Sequence, residues 1–155
     1  MRYYTHLTFA YASTMALTEV GTSPVDLTVT SAAIGLGIGA LAPDIDETRS
    51  WLGRRLPILS TIVKALFGHR GLTHSGLIVG LATFGIVTSP SPFLVAFCLG
   101  VILHIVGDLF SHGGIPLFYP FVRKRTTIPL YRTGSLVEIL IFMATAAYIL
   151  WCLVG

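Results

Sequence analysis

The fold of this chain is decided by residues 71–107, GLTHSGLIVGLATFGIVTSPSPFLVAFCLGVILHIVG, a run of 37 residues without Lys, Arg, Asp or Glu. As one helix the run would be about 55 Å long, well beyond the ~30 Å hydrocarbon core of a bilayer. Residues 89–92, SPSP, interrupt it, and proline disfavours helix in the residue before it. The run therefore predicts two apolar helices joined by a tight turn.

The composition of the whole chain is typical of a membrane protein. Charged residues make up 11% of the 155 residues, against roughly 25% in soluble domains. Hydrophobic residues make up 54%, and the mean hydropathy is +0.80. A soluble globule would lack the polar surface it needs, a disordered chain would be less hydrophobic, and two cysteines are too few for a disulfide scaffold. We therefore expect a single domain, residues 1–155, with an all-α fold: a small polytopic membrane helical bundle.

The remaining uncharged runs extend this prediction to about five apolar helices, four to five of which would span the membrane. They cover residues 3–19, 26–43, 75–89, 92–111 and 134–154. Residues 56–67 carry Ser60, Thr61 and Lys64 on one face and apolar side chains on the other. This pattern is typical of an interfacial amphipathic helix, and a short buried connecting helix is the alternative.

The basic residues predict the orientation of the bundle. With five spans, all ten Lys and Arg residues fall on the same side of the membrane. The positive-inside rule places that side in the cytoplasm. We expect a multi-pass protein of a bacterial-type cytoplasmic (inner) membrane, with its N-terminus on the cytoplasmic side.

Histidines and carboxylates converge at the cytoplasmic ends of the predicted helices. An ionisable residue within a span is unfavourable and therefore indicates a functional site. His104 and Asp108 are four residues apart and share a helical face, as metal-binding pairs on helices do. His112 continues this face but lies in a Gly-rich sequence typical of a loop. The candidate metal ligands are His6, Asp44, Asp46, His69, His74, His104, Asp108 and Glu138.

The types of ligand indicate the metal. Imidazole and carboxylate groups without thiolates suit Zn²⁺, with Mn²⁺ or Fe²⁺ as alternatives. Taken singly, His104 could be a hydrogen-bonded packing residue, Glu138 a paired carboxylate and Asp46 a helix cap. Their joint occurrence at one depth predicts a site for one or two ions.

Three motifs resemble those of a known family: PDID at 43–46, HRGLTHS at 69–75 and HIVGD at 104–108. Together they resemble the YdjM-like family of membrane-bound predicted metal-dependent hydrolases. That family looks distantly similar to the zinc-dependent phospholipase C and P1 nuclease group, all-α enzymes that cleave phosphate esters. The resemblance runs from His6 to Glu138. It implies metal ligands at Asp44, His74, His104, Asp108 and Glu138.

The chain also departs from the soluble enzymes. They carry a second helical pair, His-x-x-x-Glu, whereas this chain has Gly134 four residues before Glu138. They also use the N-terminal amine on a metal, and His6 is the residue that could substitute for it here. The number of ions therefore stays open at one or two.

The expected function is hydrolysis of a phosphoester in a membrane lipid or lipid-linked substrate at the cytoplasmic leaflet. The metal would activate water and neutralise charge on the phosphate. Asp46 or Glu138, if not bound to metal, would act as the general base. Arg70 would hold the phosphate, because its guanidinium suits phosphate geometry.

Two functions from other classes remain open. A metal-ion or proton-coupled transporter also places histidines and carboxylates on its spans. A non-enzymatic membrane protein could be stabilised by a closed metal site. Nucleic acid is not an expected partner, because no reading element accompanies the basic residues. Homo-oligomer formation is compatible with the sequence.

Overall fold

The computed structural model describes residues 1–68 and 70–154, and within these ranges the chain forms six α-helices and no β-strand. The helices are α1 (Tyr3–Glu19), α2 (Thr30–Gly39), α3 (Pro57–Phe67), α4 (Gly76–Thr88), α5 (Pro92–Leu109) and α6 (Leu136–Val154). Two short 3-10 turns cover Ala42–Asp46 and Leu72–His74. The all-α prediction is confirmed.

The break predicted at residues 89–92 separates α4 from α5. The Ser91 hydroxyl accepts a hydrogen bond from the Leu94 amide at 3.4 Å, which caps the start of α5. Pro92 occupies the first helical position, where its missing N–H has no cost. The long apolar run is thereby folded into an α4–α5 hairpin.

The second helix is shorter than expected, because local polar contacts and a proline limit it. It covers Thr30–Gly39 instead of residues 26–43. At its start, the Asp26 carboxylate accepts hydrogen bonds from both the amide and the hydroxyl of Thr28, at 2.9 and 2.7 Å. Such an Asx turn competes with helix. At its end, the chain turns into the 3-10 segment that contains Pro43.

Two helices, α5 with 18 residues and α6 with 19, are long and apolar enough to cross a membrane. This number is below the four to five spans expected. At ~1.5 Å per residue, α2 and α4 are only about 15 and 20 Å long, short of the ~30 Å hydrocarbon core. The 17 residues of α1 reach about 26 Å.

Close backbone contact joins α2 to α5, the most extensive helix pair in the fold. A Cβ at Gly39 would overlap the Phe97 carbonyl, and a Cβ at Gly100 would overlap the Leu36 carbonyl. Small residues at such positions let helix backbones approach closely in membranes. This contact sets α5, and with it His104, against the end of α2.

The outer helices expose apolar surface. Glu138 is the buried residue of α6, whose side chains Met143, Leu150 and Trp151 are all more than half exposed. An apolar helix of this kind is typical of a protein surrounded by lipid. In α3, Ser60 is buried while the apolar Ile58 is 78% exposed. Lys64 contacts Glu47 at 3.1 Å, whereas Thr61 is exposed. Ser60 and Lys64 therefore face the protein, and the apolar side chains of α3 point outward.

Candidate metal centre

Five of the predicted ligands meet at one end of the bundle. α1 supplies one histidine, each 3-10 turn supplies one residue, and α5 supplies two residues one helical turn apart. The residues are His6, Asp44, His74, His104 and Asp108. All except Asp44 are at most 1% exposed. A chain with so few charges thus concentrates these groups in a water-poor site.

The hydrogen bonds of the two central histidines fix which ring nitrogen carries the proton. His104 Nδ1 lies 2.7 Å from the Ala40 carbonyl oxygen, which can only accept, so Nδ1 donates. His74 Nδ1 lies 3.1 Å from Asp46 Oδ2, and we assign its proton by the same logic. In the neutral rings, both Nε2 atoms then carry lone pairs.

Those two lone pairs face each other. His74 Nε2 and His104 Nε2 are 3.2 Å apart. Two nitrogen lone pairs at this distance repel each other unless a proton or a cation lies between them. Histidines that bind metal commonly have the other ring nitrogen held by a carboxylate or a carbonyl, as both are here.

Two carboxylates lie beside the facing Nε2 atoms of His74 and His104. Asp108 Oδ2 is 3.6 Å from His74 Nε2, and Asp44 Oδ1 is 3.8 Å from His104 Nε2. Asp108 is itself held by cations, since its Oδ1 accepts from the Met1 amino group at 2.8 Å and its Oδ2 lies 2.6 Å from Arg70 Nη2. The arrangement offers both nitrogen and oxygen ligands.

His6 adds a third imidazole. Its ring stacks on that of His104, with 3.7 Å between centroids and 7° between planes. Its Nε2 is 3.7 Å from Asp108 Oδ1. Within the described chain, neither of its buried ring nitrogens has a hydrogen-bond partner. Buried polar atoms normally have one, so these atoms fit a role as metal ligands.

The potential ligand atoms form two groups that share His104. One contains His6, His104 and Asp108, and the other contains Asp44, His74 and His104, with all ligand atoms of a group within 4.8 Å of one another. Because Ala40 holds Nδ1 of His104, this ring has one nitrogen available. The two groups are therefore better read as one shared site than as two independent ones. The residues present fit a divalent ion.

Asp46 contacts the Nδ1 atom of His74, on the opposite side of the ring from the Nε2 atom that faces His104. Its Oδ2 accepts hydrogen bonds from the Arg70 amide at 2.9 Å, from the Thr73 hydroxyl and from His74 Nδ1. Arg70 has φ of 53°, a left-handed conformation that is strained for a residue with a Cβ. Asp46 thus holds residues 70–74 and aligns the His74 ring.

Glu138 and His112 belong to neither ligand group. Glu138 is buried, and its two oxygens accept from the Arg2 and Gly134 amides at 2.5 Å each. His69 lies outside the described residues. His112 Nδ1 is 2.9 Å from the Tyr131 carbonyl oxygen, as expected of a loop residue.

Sequence reasoning missed several contributors. The position of Thr73 within the HRGLTHS motif could have indicated its role in the site. No sequence pattern indicates the role of a backbone carbonyl such as that of Ala40. Tyr131 is also buried, and its hydroxyl donates to the Gly107 carbonyl at 2.8 Å. Burial raises the pKa of the Tyr131 phenol, and the Asp108 and Glu138 carboxylates raise it further, so the phenol stays a proton donor.

A basic pocket adjoins the centre. Arg70, Arg123 and Arg125 line a cavity of about 370 Å³ together with Tyr119. Arg70 joins the two sites, because its guanidinium lines this pocket and contacts Asp108. The positive-inside pattern alone gave no reason to expect this cluster.

Replacing Asp46 with asparagine should weaken metal binding by about 10- to 100-fold, the usual effect of removing an outer-shell carboxylate. The amide keeps the size of the side chain but can no longer hold the His74 proton as a charged acceptor. Titration with a fluorescent zinc chelator as competitor would measure the change. Glu47→Gln, one residue along, is the matched control, and equal affinities in all three proteins would contradict the role assigned to Asp46.

Comparison with known proteins assigns the family. A family model described as YdjM inner membrane protein matches residues 1–155. The Bacillus subtilis protein named "Uncharacterized protein YvsG" is 37% identical over 142 residues, covering 88% of this chain and 84% of YvsG. Inner membrane protein YdjM of Escherichia coli is 38% identical over 120 residues, covering 72% of this chain and 61% of that protein.

Inner membrane protein YdjM of Shigella flexneri matches with the same values. The chain thus spans about three fifths of the length of these two relatives. No solved structure matches the chain with statistical significance. The family model matches the full length, and YvsG and YdjM are 37% and 38% identical to the chain. The chain is therefore a membrane protein that belongs to the YdjM family of inner membrane proteins.

Proposed function

We propose that this protein is a membrane-embedded, metal-dependent hydrolase that acts on a phosphoester of a lipid or lipid-linked substrate at the cytoplasmic leaflet. The observation that supports it most is the pair of facing imidazole lone pairs, His74 Nε2 and His104 Nε2, 3.2 Å apart beside two carboxylates. A divalent cation would turn this repulsion into ligation.

The ion would be held by the Nε2 atoms of His74 and His104, with Asp44, Asp108 and His6 available to complete the shell. Nitrogen and oxygen ligands without sulfur favour Zn²⁺, with Mn²⁺ or Fe²⁺ as alternatives. When bound, such an ion supplies an activated water and neutralises charge on a phosphate.

The basic pocket supports a phosphate-bearing substrate. Arg70, Arg123 and Arg125 all line one cavity, and the Arg70 guanidinium also contacts Asp108. Arginine binds phosphate oxygens in bidentate geometry. Arg70 would therefore orient the phosphate against the metal centre, in the role that the sequence suggested.

The two carboxylates expected as the general base both accept hydrogen bonds from other groups of the protein. Asp46 holds His74 Nδ1, and Glu138 holds the backbone amides of Arg2 and Gly134. We assign both to positioning. Asp44, with a side chain 19% exposed, is the more exposed carboxylate of the cluster. Its Oδ1 faces His104 Nε2, and we propose that its other oxygen takes up the proton released on hydrolysis.

The same proposal includes the topology. α5 and α6 would cross the membrane in opposite directions, and the basic loop between them would lie in the cytoplasm under the positive-inside rule. The shorter helices would lie inside the same bilayer, with α3 at its cytoplasmic interface.

Alkaline phosphatase fused after Val154 should be active, because the enzyme works only outside the cytoplasm and α6 ends on the far side from the metal centre. The same enzyme fused after Lys124 should be inactive, and green fluorescent protein should give the reverse pattern. Phosphatase activity at Lys124 would contradict the orientation.

The activity itself is tested with purified protein in nanodiscs. Metal content and release of phosphate or headgroup from a panel of phospholipids and isoprenoid phosphates would be measured on one preparation. We expect bound metal and turnover that a chelator removes and zinc restores. Full turnover in metal-free protein would overturn the proposal, and bound metal without turnover of any panel member would favour the structural metal site instead.

A further inference from the structure

An apolar groove runs along the outside of the α4–α5 hairpin and starts at the metal centre. It encloses about 540 Å³, within the range of ~300–1,000 Å³ typical of ligand sites. Ala82, Gly85, Phe97 and Val101 line its length, and the side chains that line it carry no charge. The metal centre does not use this groove.

The groove ends beside the centre. At one end it is lined by Pro43, which precedes Asp44, and by Thr73, which precedes His74. The Thr73 hydroxyl lies 3.0 Å from His74 Nδ1, so one residue contacts a proposed ligand and lines the groove. A molecule in the groove would therefore present its end to the metal centre.

The other end of the groove lies at Thr88 and Ser89, beyond the last turn of α4. α4 is about 20 Å long, which exceeds the ~15 Å depth of one leaflet's hydrocarbon core. Leu81 and Phe84 on the groove are 64 and 66% exposed, so the groove opens toward the surrounding lipid. Its length and its opening suit a single extended hydrocarbon chain that enters sideways.

We infer that this groove binds the acyl or isoprenoid chain of the substrate, so that the substrate is a long-chain lipid phosphate held by its chain on α4–α5 and by its phosphate at the metal centre. This inference rests on the proposed function. Lipid tails are as apolar as the groove, so transfer of a chain from the bilayer contributes little affinity. Specific binding of a lipid in the groove must therefore depend on its headgroup. This dependence distinguishes the groove from protein surface that any bilayer lipid contacts.

The test uses a photoactivatable alkyl phosphate, with a diazirine near the end of a hexadecyl chain, in nanodiscs that contain the full chain. We expect cross-links on residues 81–101. Unlabelled hexadecyl phosphate should compete them away, whereas hexadecanol and hexyl phosphate should not. Cross-links that hexadecanol removes equally well, or that no competitor removes, would overturn the inference.

Substitutions in the groove test where the hydrocarbon chain of the probe binds. Gly85→Leu places a larger side chain in the groove, with its Cβ 2.8 Å from Cys98 Sγ on α5, so Cys98 must give way. In protein that gel filtration and circular dichroism show to be folded, it should lower the saturable cross-linking on the order of tenfold. Gly80→Leu is the matched control on the same helix, because a Cβ there meets nothing within 4 Å. Leu81→Trp, at an exposed position on the groove, is the second blocking variant if Gly85→Leu does not fold. Unchanged cross-linking in a folded blocking variant would overturn the inference.

Metal content separates the two proposals. It should be equal in wild type, Gly85→Leu and Gly80→Leu, since neither glycine lies among the ligands. Protein that takes up no metal when zinc is supplied, yet still gives saturable cross-links, would refute the metal-dependent hydrolase and support the groove as a lipid site. Metal-loaded protein without saturable cross-links would refute the groove and leave the hydrolase standing.

Discussion

Replacing His104 with alanine is expected to remove stoichiometric metal binding and, with it, hydrolysis. His104 belongs to both ligand groups, and its Nε2 faces His74 at 3.2 Å. Loss of an outer-shell partner already weakens metal affinity by ~10- to 100-fold, so loss of this ligand should weaken it by more than about 100-fold. Metal content by inductively coupled plasma mass spectrometry, with turnover on the same sample, measures both effects.

His112→Ala is the matched control for this variant. His112 contacts the Tyr131 carbonyl and belongs to neither ligand group of the described chain, so its loss should leave metal content unchanged. His104→Ala also leaves the Ala40 carbonyl without a donor, at a cost of about 1–3 kcal/mol. Gel filtration and circular dichroism must therefore show that the variant is folded. Full metal content in folded His104→Ala would contradict the account.

Replacing Gly39 with leucine is expected to prevent the native packing of α2 on α5. The two backbones approach so closely at Gly39 that a Cβ would overlap the Phe97 carbonyl, and backbone cannot move aside as a flexible side chain can. Overpacking of this kind costs about 1–3 kcal/mol where side chains can yield, and more where backbone must shift. The melting temperature of protein purified in detergent would show the loss.

The control for Gly39→Leu is Gly80→Leu, the same exchange in an open environment on α4. It should melt within a few degrees of the wild type. Because His104 is positioned by the carbonyl of Ala40, at the end of α2, Gly39→Leu should also lower metal content. A folded Gly39→Leu protein with unchanged melting and metal content would show that the α2–α5 contact does not position the centre.

Local sequence signals predicted the parts of the fold that local forces determine. The helix break at residues 89–92 was readable because proline and serine caps act within a few residues. The length of α2 was not, since the Asx turn of Asp26 and Thr28 competes with helix in a way that hydropathy does not register. The four to five spans were overcounted because α2 ends early and because α1 and α4, with 17 and 13 residues, are shorter than α5 and α6.

The site could be predicted as a set of residues but not as a geometry. Scarcity of charge made His6, Asp44, His74, His104 and Asp108 stand out, and the structure brings these five together. The contact of Asp46 with His74 joins residues 28 positions apart, and no local pattern encodes it. That contact is the observation from which we propose a positioning role for Asp46, which the sequence predicted as a ligand or base.

We propose that His74, His104 and neighbouring carboxylates hold one divalent ion. X-ray absorption at the zinc edge of zinc-loaded protein tests it most directly. We predict one ion per chain with a first shell of nitrogen and oxygen only, and with the multiple scattering of two or three imidazoles. A sulfur shell, which would implicate Cys98 or Cys152, or a shell without imidazole would contradict the account.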